Sequence, residues 1–106
     1  MVVKIYDYRK YKSDNRHDKI KHNCIGTIEV DAFDANELFD ICNWINRKVV
    51  KPECLHADVS FADSGICFEN PETGEMWLVK SFGWFVGSKQ DVKAYITKNR
   101  GKLALL

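Results

Sequence analysis

One hundred and six residues, 45% hydrophobic, 12% aromatic and 29% charged, suit one packed core and leave no room for a second of ordinary size. That composition excludes a disordered or collagen-like chain, and no apolar run approaches the roughly 18 residues of a membrane span. The net charge is only +1, yet charge is sorted along the chain. Residues 1–22 hold seven Lys/Arg against three Asp/Glu, 23–76 three against eleven, and 77–106 six against one. A basic–acidic–basic layout of this kind steers partners of opposite sign and says little about fold.

Val2 to Tyr8 alternates as a strand, with Val3 and Ile5 on one face and Tyr6 and Tyr8 on the other. No basic stretch followed by a continuous apolar run opens the sequence, so no export leader and a cytoplasmic location are expected, or the host cytoplasm if a phage encodes the chain. Residues 9–23 follow, with Ser13-Asp14-Asn15 as turn chemistry. They read as a protruding basic arm or loop. Ile25 to Val30 is a second strand. Asp34 and Glu37 then start an amphipathic helix over 35–48, in which Leu38, Ile41, Cys42, Ile45 and Val49 share one face. Pro52 stops it.

Leu55, Ala57, Val59 and Phe61 alternate with polar residues as a half-buried strand. A turn at Asp63-Ser64-Gly65 leads into a strand over 66–69. Asn70-Pro71-Glu72-Thr73-Gly74 turns the chain again into a strand from Met76 to Phe82. These three strands predict an antiparallel meander. Ser88 and Asp91 form a capping-box pattern, and Val92, Tyr95 and Ile96 supply the inner face of a second helix ending near Gly101. Leu103 to Leu106 is apolar and predicts a docked terminus. The order ββαβββα predicts a single α+β domain over 1–106: an antiparallel sheet with two helices on one face.

Little in the chain specifies a reaction. Cys54, His56 and Asp58 share one face of a predicted strand, but alternate residues stand about 7 Å apart, beyond the about 3 Å of hydrogen-bond reach. His17, His22 and Cys24 lack a fourth nearby ligand and the paired short spacings of a zinc site. Cys24, Cys42, Cys54 and Cys67 match no paired redox motif, so free thiols are expected. The expectation is no enzyme, no metal and no cofactor.

Binding features are better represented. Glu29, Asp31, Asp34, Glu37 and Asp40 cluster around the first helix start as a candidate acidic face, beside capping and solubility as their ordinary uses. Arg9, Lys10, Tyr11, Lys12, Arg16, Lys19 and Lys21 interleave cations with an aromatic, which suits phosphates and unpaired bases. A second basic group, Lys89, Lys93, Lys98, Arg100 and Lys102, lies on and after the last helix. Trp77, Trp84 and Phe85 make a candidate aromatic anchor. Both faces of the 76–82 strand are apolar, so it is either covered twice or partly exposed.

The sorted charge predicts a small non-enzymatic regulator or inhibitor that occludes a nucleic-acid-handling protein partner. Phage and mobile-element inhibitors, including anti-CRISPR proteins acting on a CRISPR-type effector, are the class that size and charge suggest. A nucleic-acid-binding module using the basic 4–21 arm, and an immunity protein against a nuclease toxin, are the alternatives. No membrane partner is expected.

Overall fold

The computed structural model describes residues 1–12, 19–34, 38, 64–80 and 83–100. Within them lie five strands, β1 (Val2–Asp7), β2 (Cys24–Glu29), β3 (Ile66–Glu69), β4 (Met76–Val79) and β5 (Trp84–Gly87), and one helix, α1 (Lys89–Asn99). The strands form one sheet in the order β2-β1-β3-β4-β5, every neighbouring pair antiparallel. The chain is therefore a small single-domain α+β fold. Among the described residues no helix is long and apolar enough to cross a membrane.

Two helices are not borne out: α1 is the helix described. The expected helix over 35–48 and the strand over 55–61 lie outside the described residues, apart from Leu38, whose amide donates to Asp34 O at 3.0 Å. The expected strand over 76–82 stops at Val79. Lys80 donates to Gly83 O at 3.1 Å, and Gly83 takes φ 75°, so the chain reverses there. Trp84–Gly87, an unexpected strand, then returns beside β4. The meander is β3-β4-β5, one strand later than the sequence pattern indicated.

Both faces of the sheet are covered. Tyr6, Cys67, Met76 and Leu78 pack beneath Val92 and Ile96 of α1, together with Tyr8, Tyr11 and Ile20. Val3, Ile5, Ile28, Ile66, Phe68 and Val79 form a second cluster on the opposite face with Val30 and Leu38. Of the two possibilities left open for the doubly apolar strand, the described residues show cover on both sides. The doubly apolar β4 follows directly, since a strand buried on both sides loses polar alternation.

The described flanks of the 9–23 segment pack against the sheet, and residues 13–18, the middle of the expected arm, lie outside the described residues. Arg9–Lys12 makes one 3-10 turn, Tyr11 is 1% exposed and Ile20 is buried. An apolar residue at each end pulls both flanks into the core.

Register fixes two ends of the sheet. One end carries Val30, the Asn70–Glu75 turn and the start of α1; the other carries Tyr8, Gly65, the Lys80–Gly83 turn and Arg100. α1 therefore runs from the first end to the second.

Candidate partner-binding surfaces

Strand alternation sorts the three predicted anchor rings. Trp77 and Trp84 share the face opposite α1, at 5.5 Å and 70° between rings. Phe85, one residue on, points the other way and stacks on Tyr95 of α1 at 4.3 Å. It is a helix-packing residue and takes no part in the patch. Trp77 also meets Phe33 edge-on at 6.0 Å, and Trp84 lies 6.3 Å from buried Phe68. Both indoles are half-buried, which leaves part of each ring at the surface.

The acidic residues gather beside this chain of rings. Asp31 and Asp34, both exposed, bracket Phe33 in sequence, and exposed Glu75 accepts from Trp77 Nε1 at 2.8 Å. Glu29 is exposed on β2 and accepts from the Met1 amino group at 3.0 Å. Glu37 and Asp40 lie outside the described residues. The sequence pattern treated acid and aromatic residues as separate features; Phe33, which joins them, carried no signal beyond its place between two aspartates.

The predicted nucleic-acid residues are arranged differently from an open stacking platform. Arg9 is tied to Asp7, its Nη2 donating at 2.9 Å and its Nε at 3.0 Å. Lys10 Nζ lies 5.0 Å over the Tyr11 ring. The Tyr11 hydroxyl donates to Lys19 O at 3.1 Å and accepts from Lys21 N at 2.7 Å. Tyr11 is thus a buried clamp on the chain and offers no face to a base. Lys19 and Lys21 are exposed; Arg16 and the Lys12 side chain lie outside the described residues.

A buried polar cluster under α1 carried no motif. Glu69 is 7% exposed and accepts from the Tyr6 hydroxyl at 2.8 Å. Lys89 approaches both, 3.3 Å from Tyr6 Oη and 3.8 Å from Glu69 Oε2. Beside them the Tyr8 hydroxyl and His22 Nδ1 share a 2.7 Å hydrogen bond. Burial, then the hydrogen bond and charge of Glu69, push the Tyr6 phenol well above its ordinary range. Burial does the same for Tyr8 and for the Cys67 thiol. Burial first, then Lys89 and Lys93, hold the His22 imidazole below its ordinary 6.5, with Glu69 opposing them. The one sequence sign of this cluster was a carboxylate in the otherwise apolar Ile66–Glu69 run.

These protonation states suit a structural network. Cys67 stays a thiol and donates weakly to Phe68 O at 4.0 Å, which gives no activated nucleophile. Of the three residues weighed against a zinc site, His22 is bonded to Tyr8, Cys24 Sγ donates to Gly26 O at 3.5 Å, and His17 lies outside the described residues. Cys54, His56 and Asp58 also lie outside them. Among the described residues no three His, Cys, Asp or Glu side chains gather as a metal-binding set. No protein-family model, no curated protein and no solved structure matches this chain.

Proposed function

We propose that this chain is a non-enzymatic docking protein that sets an acid-rimmed aromatic cluster into a cationic groove of a nucleic-acid-handling protein and occludes it. The observation that carries this reading is the double contact of Trp77, with Phe33 on one side and the Glu75 carboxylate on the other. An indole desolvated at the centre of an interface is a common anchor, and surrounding charge of one sign raises the encounter rate with a partner of the other. Asp31, Asp34, Glu72 and Glu75 lie near one end of the sheet, so their fields add. An inhibitor of a CRISPR-type effector, of phage or mobile-element origin, fits this description. So does an immunity protein against a nuclease toxin, which needs the same acidic surface.

The test is capture of partners from nuclease-treated native host lysate by the wild type, D31N/D34N and W77A. The reading expects a basic nucleic-acid-binding protein to be retained by the wild type and released as salt rises. It expects W77A to lose at least about 2 kcal/mol of binding, the usual threshold for an anchor residue. D31N/D34N should slow association, and its melting temperature, measured alongside, separates binding from folding. Equal retention of the same protein by all three variants, or retention only when nucleic acid is left intact, overturns the proposal.

A further inference from the structure

Folding brings the two basic segments of the sequence together. The Arg100 guanidinium lies 5.1 Å over the Tyr11 ring, the same ring that Lys10 approaches at 5.0 Å. The hydroxyl of that ring is hydrogen-bonded to the backbone of Lys19 and Lys21. Along α1, Lys89 and Lys93 stand one turn apart, and Arg100 follows on the same side of the helix eleven positions after Lys89. His22, which follows Lys21, is hydrogen-bonded to the Tyr8 hydroxyl, and the Tyr8 ring stacks at 6.3 Å on Tyr6, whose hydroxyl Lys89 reaches at 3.3 Å. The result is a cationic seam: Lys19 and Lys21 on one bank, Lys89, Lys93 and Arg100 on the other, with the His22 ring between them.

Among the described residues, Asp7 holds Arg9 and Asp91 caps the start of α1 at Ser88, while buried Glu69 offsets part of the Lys89 charge at 3.8 Å and leaves Lys93, Lys19 and Lys21 to set the sign of the seam. Gathering like charges from segments some seventy positions apart costs free energy, and a polyanion laid along the seam would relieve it.

We propose that this seam binds the phosphate backbone of double-stranded DNA without reading its sequence. From Lys89 to Arg100 the helix rises about 16 Å, which spans about five phosphates of one strand. Duplex is favoured over single strand because the tyrosines of the segment are buried: Tyr6 is 3%, Tyr8 0% and Tyr11 1% exposed. A surface with cations and no exposed ring attracts phosphates but gives unpaired bases no stacking platform. The inference goes beyond the docking reading and uses none of its residues, so either can fail alone.

The experiment is fluorescence anisotropy of the full chain with a labelled duplex of about twenty base pairs, titrated across salt. Affinity should fall linearly on a log–log plot, and each phosphate-contacting cation removed should reduce the slope by about 0.9. K19Q/K21Q and K89Q/K93Q should each weaken low-salt binding about tenfold, equally for unrelated sequences. Lys89 also contacts Tyr6 and Glu69, so if K89Q/K93Q melts early the exposed Lys19/Lys21 pair and K93Q alone carry the test. Absence of binding at low salt overturns the proposal, as does unchanged affinity in K19Q/K21Q. Equal or tighter binding of the single strand overturns it too, as does displacement of duplex by polyglutamate as readily as by unlabelled duplex.

Discussion

Glu69 is a carboxylate inside a sheet core, and its retention there depends on the Tyr6 hydroxyl at 2.8 Å and the Lys89 ammonium at 3.8 Å. Removing the phenol hydroxyl leaves the charge short of a donor. Tyr6→Phe should cost about 1.5–3 kcal/mol in urea unfolding, the range for a hydrogen bond to a charged group. Adding Glu69→Gln should recover part of that loss, because a neutral amide is less costly to bury than an under-solvated charge. His22 gives a pH signature. Burial, Lys89 and Lys93 hold its folded-state value below the ordinary 6.5, with Glu69 pulling upward and Tyr8 bonded to Nδ1. Below 6.5 the unfolded chain therefore binds the proton first. Stability should be level above that pH and decline as pH falls toward the folded value, a decline that His22→Gln abolishes in unfolding titrations. Thiol chemistry should also separate by burial. Peptide-resolved alkylation of the native protein should label exposed Cys24 and spare Cys67, whose thiol burial keeps protonated.

At the scale of elements, α1 is anchored by a complete capping box. Ser88 Oγ accepts from Asp91 N at 3.2 Å, and Asp91 Oδ2 accepts from Ser88 N at 2.9 Å. Ser88→Ala should cost about 1 kcal/mol of stability. Because α1 lies over β4 and β5, the loss should appear in global unfolding and not only as a frayed helix end. The turn into β3 depends on a different device. Gly65 takes φ 101°, and a Cβ there would stand 3.0 Å from Arg9 Cγ and 3.1 Å from Arg9 Cα. Strain and backbone contact combine, so Gly65→Ala should lower the melting temperature more than Ser88→Ala does.

Across the whole molecule, sheet register places the Asn70–Glu75 turn and the residues after β2 at one end, and the Lys80 turn with the Tyr11–Arg100 contact at the other. Among the described residues, Asp31, Asp34, Glu72 and Glu75 lie at the end where α1 starts, Lys80 and Arg100 at the end where it finishes, and Lys89 and Lys93 on its first turns between the two. The two proposed binding surfaces are of opposite sign, one for a cationic protein and one for a duplex. A partner that holds DNA in a cationic groove would meet both, and charge reversal on either surface should alter salt dependence only for that surface's ligand.

By itself the sequence determined what depends on near neighbours. The alternation of β1, the cap at Ser88 and the Asn70–Gly74 turn were legible because propensity, period and capping act over a few residues. So was the segregation of charge. Tertiary structure alone decided which basic groups meet, that Tyr11 is a buried clamp, that Phe33 joins the acid residues to Trp77, and that the sheet is covered on both faces. The physical reason is separation. The Tyr6–Glu69 and Lys89–Tyr6 contacts join residues 63 and 83 positions apart, and no local pattern encodes a partner at that distance.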